Sequence, residues 1–167
     1  MPSDDRSETM LRQITDAHFR WMLGKQDAPS PELTLPPGGI DDAETLQIVR
    51  RMTRRLHDSG SRGSWMMLCG GEVVGLCSYK QAPTADGSVE IGYGVAPRRR
   101  AQGHATRAVA AMLGYAMADP AVRAVTAATA VANIASQRTL ERNGFARLGI
   151  SHDPDDGEMI LWRRDIA

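Results

Sequence analysis

The segment VEIGYGVAPRRRAQGHATRAV, residues 89–109, determines how the rest of the chain is interpreted. Its alternating first half predicts a strand, its basic middle a turn, and its alanine-rich end a helix. The N-terminus of a helix carries unpaired N–H donors and a partial positive charge, and glycine lets an anion approach the backbone closely. Because three arginines precede that helix, the segment predicts a phosphate-binding site.

The predicted strand has one apolar face and one face that is nearly bare. Alternation puts its branched and aromatic residues on the apolar face, which are Val89, Ile91, Tyr93 and Val95. Glu90 lies on the other face, next to Gly92 and Gly94. Glycine inside a strand marks a place where another group approaches the backbone. We therefore expect a slot beside the Glu90 carboxylate, and we expect Tyr93 in the core.

Local signals predict the remaining elements in order. A helix is predicted from Gly103 to about Ala118, and the apolar strand AVRAVTAATA follows at 121–130. A strand, a helix and a second strand in this order favour a parallel crossover. Asn133 can cap a further helix that runs to about Asn143, Gly144 is predicted to supply its left-handed end, and a final hairpin closes the chain. Upstream, a helix from about 41 to 57 precedes a hairpin that turns at 70–71.

Two upstream segments carry no regular pattern. Residues 25–39 contain four prolines and are predicted to be irregular, either as a substrate lid or as a surface connection. Residues 1–9 are polar and are predicted to be flexible.

The composition limits the classes of function. The 167 residues fit a single domain, 1–167. Lys+Arg and Asp+Glu both total 20, so no overall basic field gathers nucleic acid, and no apolar run has the length of a membrane span. The N-terminus lacks the features of a signal peptide and the chain has two cysteines, which predicts a cytoplasmic location. The four histidines show no metal-ligand spacing, so no metal site is expected.

A motif and its surroundings connect these patterns to a known family. Residues 100–105 read R-x-x-G-x-A, preceded by VEIGYGVAP and followed at the right distance by NIASQRTLERNGF. In this respect Ser88 to Leu148 resembles the GNAT superfamily of acyl-CoA N-acyltransferases, especially its Rim-type branch, which acetylates ribosomal-protein N-termini. The resemblance implies an α/β fold: a mixed, mostly antiparallel sheet of six to seven strands with a splayed parallel pair, flanked by about four helices. It also implies acetyl-CoA as co-substrate and an amine as acceptor.

The resemblance assigns cofactor contacts residue by residue. The coenzyme A pyrophosphate is implied to bind the turn that consists of Arg100, Ala101, Gln102, Gly103, His104 and Ala105. The pantetheine arm is implied to meet the backbone near Gly94 and Val95, where an N–H would polarise the thioester carbonyl. Asn133 and Ser136 match positions that contact the arm and the sulfur. From the residues alone, Asn133 is equally a helix cap and Ser136 an ordinary first-turn serine.

The catalytic groups are less completely specified. An amine that titrates near about 8 to 10 must lose a proton before it attacks, and Glu90 is the candidate base. The alternative for Glu90 is a structural ion pair with Arg98 or another cation. Many relatives carry a tyrosine general acid where this chain has Leu140, so thiolate protonation is expected to use Ser136, water or another residue.

Two functions from different classes follow. The first is an acetyl-CoA-dependent N-acetyltransferase that acts on a primary amine by direct attack in a ternary complex. The second is a non-catalytic acyl-CoA-binding module of the same fold, which Leu140 keeps open. The acceptor is not specified by the sequence, and a homodimer is a further partner that the edge strands of the fold allow.

Overall fold

The protein is described by a computed structural model that covers residues 8–166. Of the segment predicted to be flexible, residues 1–7 lie outside the described part of the chain. The described residues form seven strands and four α-helices, and a 3₁₀ helix, Pro97–Arg99, precedes the third α-helix. In chain order the elements are β1 (Met10–Gln13), α1 (Asp16–Met22), α2 (Ala43–Asp58), β2 (Ser64–Cys69), β3 (Glu72–Tyr79), β4 (Ser88–Val95), α3 (His104–Ala118), β5 (Ala124–Ala130), α4 (Ile134–Arg142), β6 (Ala146–Asp153) and β7 (Gly157–Asp165).

All seven strands belong to one sheet in the order β1-β2-β3-β4-β5-β7-β6. Its neighbours are antiparallel except β4 and β5, which are parallel because α3 carries the chain back across the sheet. The predicted mixed, mostly antiparallel sheet with one parallel pair and four helices is thus confirmed.

The parallel pair separates after three positions. Ser88, Val89 and Glu90 pair with Ala124 to Thr126, and beyond Glu90 the two strands continue without pairing to each other. β4 stays bound to β3 along this stretch, from the pair Tyr79 and Ile91 to the pair Gly75 and Val95. The sheet therefore contains a gap in its middle, between residues 91–95 of β4 and residues 127–130 of β5.

Ladder alternation determines which backbone groups face this gap. The N–H of Lys80 donates to the carbonyl oxygen of Glu90 (2.7 Å), and that of Ala96 donates to Val74 (2.8 Å). Even-numbered residues of β4 therefore direct their N–H and C=O groups toward β3. The backbone groups of the odd-numbered residues, which are Ile91, Tyr93 and Val95, point into the gap.

Two apolar clusters support the sheet. The larger lies beneath α3 and includes Val89 and Ile91 from β4. The smaller lies on the other face under α1 and α2, and it contains Leu33 from the proline-rich segment 25–39 together with Ile40. Thr34 extends that attachment, because its N–H donates to Gly71 (3.0 Å) and its carbonyl accepts from Val73 (2.9 Å). Segment 25–39 is therefore a packed connection.

The two N-terminal helices are joined by an ion pair. Arg50 of α2 donates twice to the carboxylate of Asp16 in α1, at 2.7 and 2.8 Å. The guanidinium side chain is 11% exposed and the carboxylate 43%. The hydrogen bonds from Arg50 lower the pKa of Asp16.

Candidate active site

The basic turn after β4 has a strained backbone. Ala101 has a φ of 61°, and it is the one non-glycine residue with positive φ among residues 8–166. Gly103 follows with a φ of 83° and directly precedes α3, whose first turn has no side-chain cap. A left-handed alanine costs on the order of 1 kcal/mol and persists where the surroundings impose it. The turn thus presents an uncapped helix N-terminus, which is the geometry that anions prefer.

Side chains from two elements hold this turn in shape. Arg107 donates to the Gln102 carbonyl (2.9 Å) and to Thr9 Oγ1 (3.0 Å). The Thr9 hydroxyl lies 2.9 Å from Nδ1 of His104, which is 4% exposed. Burial and the nearby Arg107 lower the pKa of His104, so its imidazole is neutral and structural.

The three consecutive arginines have different surroundings. Arg99 pairs with both carboxylate oxygens of Glu72, at 2.6 and 3.1 Å, and so attaches the turn to β3. Arg100 is exposed and donates to the Val95 carbonyl (3.3 Å) at the edge of the gap. Arg98 is exposed as well. Arg100 is therefore the predicted phosphate ligand whose side chain lies between the turn and the gap.

The gap opens into a cleft of about 430 Å³. Its walls come from β4, β5, the cap and first turn of α4, the residue after β3, the β6–β7 turn and the start of β7: Lys80, Ile91, Gly92, Tyr93, Ala128, Thr129, Ala130, Asn133, Ser136, Asp156 and Met159. Gly94 is exposed, and a Cβ there would meet nothing within 4 Å, so this part of β4 is open on its bare face.

Ser136 and Tyr93 form a hydroxyl pair in this cleft. Asn133 caps α4, since its side chain accepts from the N–H of Ser136 (3.2 Å). The Ser136 hydroxyl lies 2.7 Å from the Tyr93 hydroxyl, which also donates to the Ser136 carbonyl at 3.3 Å. Burial raises the pKa of Tyr93, so it stays protonated through neutral pH. Two candidate proton donors therefore lie in direct contact.

The hydroxyl of Tyr93 was missed by the sequence reasoning, which assigned the residue to the core. Its ring does pack against the larger cluster, but its polar tip extends past that cluster to α4. A usable signal existed: a buried tyrosine hydroxyl needs a partner, and the neighbours of Tyr93 on its own face are aliphatic.

Glu90 is paired with a cation. Its carboxylate accepts from Nζ of Lys80 at 2.9 Å, and the two side chains are 34% and 45% exposed. The ion pair considered for Glu90 is thus present, with Lys80 in place of Arg98. The pair lies beside Gly92, whose missing side chain leaves room for the lysine stem.

Leu140 is fully buried and belongs to the larger core cluster. A tyrosine at this position would have to displace core contacts. Within residues 8–166, no group of three His, Cys, Asp or Glu side chains is arranged to hold a metal ion. None of the helices in that range is both long and apolar enough to cross a membrane.

Comparison with known proteins gives consistent matches. Residues 8–146 match the acetyltransferase (GNAT) domain family. The uncharacterized N-acetyltransferase YjdG of Bacillus subtilis (strain 168) is 29% identical over 92 residues, which cover 53% of this chain and 55% of that protein, so the match spans about half the length of that relative.

Solved structures agree in fold across nearly the whole chain. RimL, a ribosomal L7/L12 alpha-N-protein acetyltransferase in complex with coenzyme A, superposes with a TM-score of 0.71 at 19% identity, covering 95% of this chain and 94% of RimL. AAC(6')-Ib in complex with paromomycin and acetyl-CoA gives 0.67 at 17% identity, covering 95% and 93%.

Proposed function

The chain belongs to the GNAT acetyltransferase family, and from that premise we propose that it moves the acetyl group of acetyl-CoA to a primary amine by direct attack in a ternary complex. The observation that carries this proposal is the gap between β4 and β5, which ends at the strained turn of residues 100–105. An extended, polar arm that ends in a pyrophosphate fits these two features in one continuous path.

The cofactor side of the proposal uses the main chain. The pyrophosphate would accept from the N–H groups of residues 100–105 at the N-terminus of α3, with the Arg100 guanidinium beside it. The pantetheine arm would lie in the gap and bond to the backbone of Val95, whose groups point there, with Asn133 and Ser136 on the opposite wall. The N–H and C=O groups of Gly94 are directed toward β3, so they would not bond to the arm. Gly94 would instead leave room for the arm, because it has no side chain on the open face.

The amine side depends on Glu90. The acceptor must lose a proton as its nitrogen bonds to the carbonyl carbon, and Glu90 is the carboxylate paired with Lys80, a residue of the cleft wall. A positioned general base contributes on the order of 100-fold to 10,000-fold in rate. The Lys80 ammonium is paired with this carboxylate, so an incoming amine must displace Lys80 from Glu90.

The leaving group is a thiolate, which needs a proton. Ser136 matches the position that contacts the sulfur in the family, and the Tyr93 hydroxyl lies 2.7 Å from the Ser136 hydroxyl. A serine alone is a poor acid, whereas a serine that is re-protonated by a phenol can pass a proton to sulfur. We therefore assign Ser136 as the donor and Tyr93 as the group that supplies and orients it.

The relatives support an amine acceptor but differ in its identity. RimL carries a name that specifies an alpha-N-protein acetyltransferase, and AAC(6')-Ib was solved with paromomycin. In this chain Asp156 of the β6–β7 turn lines the cleft together with Lys80. The Asp156 carboxylate would favour a cationic acceptor, such as a protonated amine, at this wall of the cleft.

The experiment measures release of the CoA thiol with a panel of amines and N-terminal peptides, alongside thermal stabilisation by acetyl-CoA. The wild-type chain is expected to be stabilised and to release CoA with at least one amine, and Arg100→Ala to lose most of the stabilisation. Arg98→Ala, an exposed neighbour, is the matched control. Stabilisation without CoA release from any amine would favour the non-catalytic acyl-CoA-binding module instead, and no stabilisation at all would refute both.

A further inference from the structure

Lys80 lines the cleft of the proposed enzyme and carries a primary amine. Its Nζ lies 2.9 Å from Oε2 of Glu90, the proposed base. Its side chain lines the same cleft as Tyr93 and Ser136, the proposed proton donors. The chain thus supplies, from its own sequence, the functional group that the reaction consumes.

The backbone pairing of β3 with β4 places Lys80 opposite Glu90. The N–H of Lys80 donates to the carbonyl of Glu90 (2.7 Å), which fixes where the side chain starts. The stem then runs past Gly92, where a Cβ would come within 3.2 Å of the lysine Cε. A side chain at position 92 would be in tight contact with the lysine stem, which would have to give by a few tenths of an ångström. The Lys80 side chain is 45% exposed, which leaves the amine able to swing within the cleft.

We propose that Lys80 is a self-acetylation site, modified by the acetyl-CoA bound to its own chain when no acceptor is present. This inference rests on the proposed function. Nζ forms a bond to the acetyl carbonyl carbon while the bond from that carbon to sulfur breaks. The ammonium gives up two protons, and the first reaches solvent through Glu90. The leaving thiolate takes a proton from Ser136, and Ser136 takes one from Tyr93. The second amine proton then restores Tyr93 through water. The products are N-acetyl-lysine, CoA thiol and one proton.

The modification changes the site that performs it. Acetylation removes the charge of Lys80 and with it the ion pair. The Glu90 carboxylate is then free to accept a proton from an external amine. Unmodified Lys80 keeps Glu90 in an ion pair, and acetylated Lys80 leaves the Glu90 carboxylate unpaired with this lysine.

The low number of lysines makes the modified residue easy to identify. The chain has eighteen arginines and two lysines, Lys25 and Lys80. Lys25 is exposed and lies just after α1, outside the cleft. It therefore reports ordinary chemical acetylation. Trypsin does not cleave after acetyl-lysine, so modification of Lys80 merges its two flanking peptides into a single one, residues 63–98.

The experiment incubates the full chain with acetyl-CoA and no added amine, and follows the 63–98 peptide by mass spectrometry. We expect Lys80 to gain one acetyl group and Lys25 to gain none, with a rate constant that does not depend on protein concentration. Glu90→Gln is expected to slow this reaction by about a hundredfold. Lys80→Arg is expected to prevent it while keeping a positive charge, and Lys25→Arg to leave it unchanged. An amine that is a good acceptor is expected to suppress it.

Several outcomes would overturn the inference. Lys80 that stays unmodified, in a preparation that releases CoA with an added amine, refutes self-acetylation and leaves the proposed function standing. Equal labelling of Lys25 and Lys80, or the same labelling of heat-unfolded chain, identifies a chemical reaction and refutes it as well. If neither lysine nor any amine of the panel is acetylated, the proposed function fails and this inference fails with it.

Discussion

Replacing Gly103 by alanine tests whether the turn before α3 binds the cofactor through its backbone. Gly103 has a φ of 83°, which costs an alanine about 1 to 2 kcal/mol. The new Cβ would also lie 2.6 Å from Nη1 of Arg107. The guanidinium must then shift away from Thr9 and the Gln102 carbonyl, which adds about 1 to 2 kcal/mol.

These two contributions predict a loss of about 2 to 4 kcal/mol, or about 6 to 12 °C in Tm for a chain of this length. Gly60 provides a matched control, because it has a φ of 86° and a Cβ there would meet nothing within 4 Å. Gly60→Ala is therefore expected to lose about 1 to 2 kcal/mol, from backbone strain alone.

The decisive measurement is the shift in Tm that acetyl-CoA produces. A ligand at one hundred times its Kd stabilises the folded state by about 2.7 kcal/mol, or about 8 °C here. If Gly103→Ala weakens binding by about a hundredfold, that stabilisation falls to about 0.4 kcal/mol, or about 1 °C. Gly60→Ala is expected to keep the full shift. A Gly103→Ala variant that also kept it would refute close approach of the cofactor to this turn.

Three further predictions concern side chains. Tyr93→Phe removes the partner of the Ser136 hydroxyl and is expected to lower the free energy of unfolding by about 1 kcal/mol. CoA release should become much slower, while the Tm shift produced by acetyl-CoA is retained. An unchanged kcat would exclude Tyr93 from proton delivery. Asp16→Asn breaks the pair with Arg50 and is expected to cost about 1 kcal/mol at pH 7. Because the pKa of Asp16 is lowered in the folded state, the wild type loses this stability as pH falls below about 4, and the variant does not. Equal urea midpoints of wild type and variant at pH 7 would contradict a stabilising ion pair. Burial and Asp119 raise the pKa of Tyr79 to about 12. Between pH 10 and 12 the unfolded chain therefore loses a proton that the folded chain keeps, so stability should fall by up to about 3 kcal/mol, and Tyr79→Phe should flatten that decline in alkaline unfolding.

Features that depend on a few neighbouring residues could be predicted from the sequence. The turn at 100–105 was located by arginine, glycine and alanine at fixed spacing before a helix. Asn133 was predicted as a cap, and its side chain does accept from Ser136. The left-handed end at Gly144 is confirmed by a φ of 78°. In each case the physical cause lies within one turn of the chain.

Features that depend on distant pairing could not be predicted. Tyr93 and Ser136 are 43 residues apart, and their contact requires the separation of β4 and β5 beside the first turn of α4. Lys80 meets Glu90 only because the β3–β4 register places them opposite each other. A periodic pattern indicates which face a residue occupies, but the register determines the partner it finds there.

The proline-rich segment illustrates the same limit from the opposite side. Its four prolines predict an irregular backbone, which the structure has over 25–39. Nothing local indicates that Leu33 inserts into a core cluster or that Thr34 bonds to β3. Those contacts exist because the β2–β3 turn is adjacent in space.

The gap in the sheet gives the molecule an edge strand in its interior. An ordinary edge invites pairing with any extended chain, but this one lies opposite β5 inside the same sheet. The groups that this edge offers are backbone N–H and C=O groups, which every residue except proline supplies alike. The backbone pairing of the sheet can therefore persist while sequences diverge, which is consistent with superposition on RimL across 95% of the chain at 19% identity.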